Sequence, residues 1–231
     1  MEYKKNYLTE VVFRIDFPII LDFNSLKLTE FRKTIKSEFP ILQDIKSGEI
    51  IWILKDKDEN KLVTMGDHFL SVEFTKYTHF KEFFETTKLV IDNFFTLFPE
   101  TLSTRVGLRY INNFSLDEED PLDWSQYINE NLIKQINFLS PNNNLSRITS
   151  TLDIKEEDCR ILFSFGVLNS LYPSKILRKE FTLDYDCSTI ESLNKEEILD
   201  TVKVFKDKIL LIFEHSIKQA LKDKMGGEPK R

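Results

Sequence analysis

The stretch Glu10-Val11-Val12-Phe13-Arg14-Ile15-Asp16-Phe17 lines up with Arg105-Val106-Gly107-Leu108-Arg109-Tyr110-Ile111-Asn112 in the middle of the chain. Each alternates apolar and polar side chains, and each carries an arginine on its polar side. After each comes one short helical pattern, then three strand-like runs, then one long helical pattern. A repeat on this scale constrains architecture more than any single motif, because each unit presents the same faces for burial. It predicts an α+β fold: a tandem duplication of a β-α-β-β-β-α unit, with a curved antiparallel sheet backed on one face by long helices. The first unit is expected over residues 1–101 and the second over 102–231, the two forming one continuous globular domain.

The individual signals follow that order. Residues 7–17 alternate as a half-buried strand, with Tyr7, Val11, Phe13, Ile15 and Phe17 inward. Asn24 and Ser25 are cap residues for a short helix carrying Phe31, Ile35 and Phe39, which closes near Pro40. Residues 50–54, 62–65 and 69–74 read as strands, the first two joined by the charged connector from Lys55 to Asn60. Phe80, Phe83, Phe84, Ile91, Phe94, Phe95 and Phe98 form one broad stripe on a second helix, which Pro99 stops. An aromatic stripe at this spacing is a core face rather than a cofactor box.

In the second unit a strand over 104–112 precedes Asp120-Pro121, an N-cap and first-turn signal. That signal predicts a helix with Trp124, Ile128, Leu132 and Ile136 inward. A loop is expected at Ser140-Pro141-Asn142-Asn143-Asn144, then strands over 145–154, 159–167 and 181–187. Asn194 with Glu197 makes a variant capping box for a last helix, closed by Gly226-Gly227. Its repeat of Ile198, Val202, Phe205, Ile209 and Ile212 is a short heptad seam, widened by Leu210, Leu211 and Phe213 into a nearly all-round belt. Such a belt needs cover on several sides, from the chain's own sheet or from a second copy, so a homo-oligomer through this helix is one expectation.

With 231 residues, 20 of them phenylalanine and only 6 glycine, the chain can fill a large core with few loops that need special dihedrals. A net charge of -6 argues against broad binding to phosphate backbones, so a nucleic-acid partner is not expected. No apolar run is long enough to span a membrane, and residues 1–7 lack a signal-peptide core, so a cytoplasmic protein without a membrane partner is expected. Cys159 and Cys187 sit in register with apolar neighbours and read as buried free thiols of a reducing compartment.

The polar positions gather on the other side of the sheet. They are Glu10, Arg14, Asp16 and Glu73 from the first unit, and Arg105, Arg109, Arg147, Thr149, Thr151, Asp153, Arg160, Ser164, Thr182, Asp184 and Asp186 from the second. Arginine prevails there in a lysine-rich chain, and its planar fork holds carboxylates or phosphates in fixed geometry. Two readings stand side by side. One is a lattice of cross-strand ion pairs on a solvated face, each worth roughly 0 to 1 kcal/mol. The other is a recessed anion or peptide site, with Arg14, Arg105, Arg109 and Arg147 as a clamp. The residues expected to bind a ligand or partner are Arg14, Arg105, Arg109, Arg147, Arg160, Asp184 and Asp186.

Catalytic constellations are thin. His68, His79 and His215 have no metal-ligand partner at helix spacing, and there is no glycine-rich phosphate loop, nucleophile elbow or CxxC. Asp184 and Asp186 share a strand face but have no third ligand in view, so neither a metal nor a cofactor is expected.

Gly107-Leu108-Arg109-Tyr110-Ile111-Asn112, Leu183-Asp184-Tyr185-Asp186, Phe213-Glu214-His215 and Glu10-Val11-Val12-Phe13 together give the chain a resemblance that spans nearly its whole length. It resembles a sporadically distributed family of uncharacterised prokaryotic proteins. The resemblance implies a prokaryotic, cytoplasmic protein of scattered occurrence, a pattern suggestive of a defence or toxin-antitoxin setting, and it transfers no activity. The expected function is a non-enzymatic binding or interaction module that engages a protein partner or an anionic ligand through the Arg/Asp-rich sheet face. The alternative is an enzyme or sensor that binds a phosphorylated or nucleotide-like small molecule through an arginine clamp.

Overall fold

Nine strands form one open, curved antiparallel sheet in the computed structural model, which describes residues 3–46, 50–138 and 144–227. In chain order the elements are β1 (Leu8–Asp16), α1 (Ser25–Ile35), β2 (Ile41–Lys46), β3 (Ile50–Lys55), β4 (Lys61–Met65), β5 (Phe69–Phe74), α2 (Phe80–Leu97) and β6 (Arg105–Leu116). Then come α3 (Glu130–Ile133), running into a 3-10 turn, β7 (Ile148–Lys155), β8 (Cys159–Val167), β9 (Lys179–Thr189), α4 (Lys195–Ser216) and α5 (Gln219–Lys224). The strand order is β2-β3-β4-β5-β1-β6-β9-β8-β7. β1 and β6, the two segments whose sequences echo one another, lie side by side at the centre.

Alternation decides which side of the sheet is dry. One row across six strands runs Leu152, Phe163, Tyr185, Tyr110, Val11, Phe74, and all but Leu152, on the edge strand, are buried. α2 meets this row where Phe83 packs edge-on against Phe74, with ring centroids 5.2 Å apart. α4 meets it where Phe213 packs against Tyr185 at 6.5 Å. Both long helices therefore lie on one side, and each fully buried aromatic ring contributes roughly 2 to 3 kcal/mol of apolar burial there.

The helix starts follow from their caps. The Asn24 side-chain oxygen accepts from the backbone N–H of Leu26 and Lys27, at 3.0 and 3.1 Å. In α2 the cap is His79, whose Nδ1 accepts from Glu82 N–H. At α4 the Glu197 carboxylate accepts from Asn194 N–H at 3.0 Å, the reciprocal half of the predicted capping box. The stripe on α2 is core, with Phe83, Ile91, Phe94, Phe95 and Phe98 buried and Phe80 and Phe84 partly so.

Three sequence expectations need correction. β2 was not expected, because Ile41-Leu42-Gln43-Asp44-Ile45-Lys46 does not alternate; it is an edge strand held by β3 alone. The helix expected after Asp120 does not form as one piece. Asp120 accepts from Leu122 N–H, Asp123 from Ser125 N–H and Asn129 from Asn131 N–H, so local turns take the backbone groups a helix would use. Trp124, Ile128 and Ile136 are nevertheless buried. The last helix is also interrupted: Ile217 is extended and bridges to Ile128 before α5 begins, and Gly226 and Gly227, both at positive φ, end α5.

The two halves share a layout in which the first strand pairs with the last strand before the long helix, β1 with β5 and β6 with β9. They differ in strand number, four after α1 against three after α3, and a common layout is as far as the correspondence reaches. Of the loop expected at 140–144, all but Asn144 lies outside the described residues.

One charged side chain is drawn into this core. Lys179 is buried against the rings of Trp124 and Tyr127, 5.5 Å from each, and its ammonium meets the Glu118 carboxylate at 2.8 Å. Glu118 also accepts from the Tyr127 hydroxyl at 2.5 Å. The Lys179 bond, then the Tyr127 bond, hold the Glu118 carboxyl down at about 2, against an ordinary 4.5. A carboxyl depressed on folding stabilises the protein above its unfolded value and loses that contribution as pH falls toward the folded one. Thermal unfolding followed from pH 7 to about pH 2 is expected to show wild type losing stability more steeply than Glu118→Gln below pH 4.5.

Candidate functional site

The side of the sheet away from the helices carries the polar residues at its centre. Across β5, β1, β6, β9, β8 and β7 one row reads Glu73, Val12, Arg109, Asp186, Leu162, Asp153. Arg109 lies opposite Asp186, yet its guanidinium turns along the sheet to Asp184, with Nε 2.8 Å from Oδ1 and Nη2 2.7 Å from Oδ2. Asp186 is left to Arg105, whose Nη2 reaches its two oxygens at 3.1 and 3.2 Å. The Arg105 Nη1 lies 3.7 Å from Asp16, and Asp16 in turn accepts from Arg14 Nε at 2.7 Å. Arg14 rests over the Phe69 ring, 4.5 Å from its centre. Arg14, Asp16, Arg105 and Asp186 thus form one connected chain of charges, with the Arg109–Asp184 pair beside it.

Gly107 makes room for this arrangement. A Cβ there would stand 2.7 Å from Arg105 Nη1 and 3.1 Å from the guanidinium carbon, so the missing side chain lets Arg105 lie flat along the sheet. The hydrogen bonds to Asp184, ahead of its charge, push the Arg109 guanidinium above its ordinary range and keep it charged. Glu73 behaves in the opposite way. Desolvation and then the neighbouring Glu10 carboxylate raise its pKa, which marks an acidic spot next to the arginines.

Of the seven residues expected to bind, Arg14, Arg105, Arg109, Asp184 and Asp186 come together. Arg160 shares the face but is spent on Asp153, which accepts from its Nε at 2.7 Å and from its Nη2. Arg147 stands apart from the other three arginines of the expected clamp. It precedes β7 on the outer edge, donates to the Leu168 carbonyl at 3.2 Å and stacks on Tyr172 at 3.9 Å. Asp16 is the residue omitted from the expected set that the structure places inside it. Its position two residues from Arg14 on the same strand face was the available signal.

Chemically, the centre of the face is a set of mutually satisfied ion pairs. The Arg109 and Asp184 side chains are 45% and 19% exposed, so their pair belongs with solvated ones worth up to about 1 kcal/mol. Away from this face, Glu156, Asp158 and Cys159 bring three ligand-type atoms within 4.8 Å of one another. The Lys208 ammonium already binds both of those carboxylates. Cys159 and Cys187 are buried free thiols, raised by desolvation first. On α4, Val204 and Leu211 keep an exposed apolar side, 45% and 61% open, so the sheet covers the belt only in part. No helix among the described residues is long and apolar enough to cross a membrane. The chain matches no protein-family model and no curated protein.

Proposed function

We propose that the chain is a non-enzymatic interaction module that engages a protein partner through the open face of its sheet. The observation that carries this reading is the mixed sign of that face. Glu10, Asp16, Glu73, Asp184 and Asp186 stand among Arg14, Arg105 and Arg109, and the guanidinium groups are braced against carboxylates. A braced, mixed surface suits recognition by a protein of complementary charge, because fixed charges reward the correct register and penalise others. The slight excess of acid favours a partner with a basic patch.

The alternative, a phosphorylated ligand held in an arginine clamp, has less support. An incoming phosphate would have to displace Asp184 or Asp186 from guanidinium groups they already hold in two-pronged contact.

The test is partner capture from the source cells with wild type and with Arg109→Glu, read by quantitative mass spectrometry. A protein retained by wild type is expected to fall about tenfold or more in the variant, since reversal sets a carboxylate against Asp184 and breaks the braced charge pattern that fixes the partner's register. Thermal unfolding should move little, as a half-exposed pair is worth up to about 1 kcal/mol. Equal capture by both proteins would remove the open face from the mechanism.

A further inference from the structure

The sheet ends on an uncovered edge. β7 is the outer strand, and β8 is its sole neighbour in the sheet. At 8 residues it is longer than β2 on the opposite edge, which has 6. Its register with β8 runs unbroken from Ile148 to Lys155, so it has no bulge, and it contains no proline. A long regular edge of this kind invites pairing, and natural sheets usually blunt theirs with a bulge, a proline or an inward charge.

Which backbone groups face outward follows from one bond. Just past the end of β7, Glu156 N–H donates to the Cys159 carbonyl at 2.9 Å. In an antiparallel pair the bonded positions recur at every second residue, so Ile154, Leu152, Ser150 and Ile148 also turn their backbone groups toward β8. Thr149, Thr151, Asp153 and Lys155 therefore turn theirs away from the sheet, where they meet no backbone partner among the described residues. The side chains agree with an unfinished edge. Leu152 occupies the inward row that is buried on every other strand, yet it is 47% exposed.

We propose that β7 pairs edge to edge with β7 of a second copy of this chain, antiparallel about a two-fold axis at Leu152, which joins two sheets into one. The strand fits itself in this register. Thr151 stands opposite the partner's Asp153, Thr149 opposite the partner's Lys155 and Ser150 opposite the partner's Ile154, so no like charges meet directly. Every outward N–H and C=O of β7 gains a partner, and Leu152 meets its own copy at a close, non-hydrogen-bonded position that dries both side chains. An unrelated strand could supply the backbone bonds. The match of Leu152 to itself and the unopposed charges favour a symmetric pair. β7 lies three places from β6 in the sheet, so this edge is separate from the arginines at the centre of the open face, and either reading can fail without the other.

Sedimentation equilibrium of the full chain at about 50 μM is expected to give twice the chain mass, from a Kd at or below about 10 μM. Thr151→Pro removes an outward N–H and leaves the bonds to β8 in place, so it should keep the wild-type circular dichroism and sediment as a monomer. Leu152→Asp sets two carboxylates against each other at the axis and should also give a monomer; it carries the test if Thr151→Pro does not fold. Leu152→Cys reads the register. Its Cα atoms would stand about 4.5 Å apart across the axis, so mild oxidation should link two chains, while the wild type, whose cysteines are buried, stays unlinked. A wild type that is monomeric at about 50 μM overturns the proposal. So does a dimer that persists in whichever of Thr151→Pro and Leu152→Asp folds, or one that Leu152→Cys fails to link.

Discussion

Gly166→Ala is expected to cost about 3 kcal/mol or more of unfolding free energy, and to do so by prising β7 away from β8. Gly166 sits within β8 at φ 142°, opposite Thr149 of β7 and Thr182 of β9. A Cβ at that position would lie 2.1 Å from the Ile148 carbonyl oxygen and 2.9 Å from its carbon. Both conflicting atoms belong to backbone, so no rotamer change relieves them. Gly107→Ala is the matched control. Its conflict is with the movable end of Arg105, and its loss should stay below about 1 kcal/mol. Urea unfolding of the two variants separates the cases, and equal costs would mean that the backbone around Gly166 yields.

Tyr185→Ala is expected to lose about 4 kcal/mol, the middle of the range for aromatic truncation in a close-packed core. Tyr185 is wholly buried, stacks on Phe163 with ring centroids 4.6 Å apart and 7° between planes, and meets Phe213 edge-on. Its hydroxyl donates to Ser216 Oγ, and Ser216 passes the bond on to the Ile212 carbonyl. Burial raises the Tyr185 hydroxyl above its ordinary range and keeps it a donor. Tyr185→Phe removes only that bond, and because Ser216 keeps its own acceptor the loss should be near 1 kcal/mol. Denaturant midpoints for the pair divide packing from hydrogen bonding at the place where α4 is fastened to the sheet. A Phe variant as unstable as the Ala variant would shift the weight to the hydroxyl.

Much of the arrangement was legible in the residues because a strand buries every second side chain. Inward Val11, Phe13 and Ile15, and outward Arg14 and Asp16, follow from alternation alone, as do Ile161, Phe163 and Phe165 against Ser164. Alternation reports a face and not a neighbour. It put Arg147 on the polar side without revealing that β7 is the outer strand, three places from β6, and so Arg147 was grouped with a cluster it does not reach. The four-residue spacing of Trp124, Ile128, Leu132 and Ile136 likewise reports an inward direction. Turns, one bridge and a short helix supply that direction as well as a continuous helix would, once Asp120, Asp123 and Asn129 compete for the backbone. The break at Ile217 depends on Ile128, which is distant in sequence, so no local pattern announces it.

The seam between β1 and β6 has a kinetic consequence. Contacts across it join residues 88 to 104 positions apart, whereas β3, β4 and β5 close through short hairpins. During synthesis the leading half can assemble its own meander and hold β1 against β5 while the other edge of β1 has nothing to pair with. Closing so long a loop is entropically slow, and β1 is rich in β-branched and aromatic residues. The interval before β6 leaves the ribosome is therefore when this chain is most open to aggregation, and expression that slows translation after residue 100 should lower soluble yield.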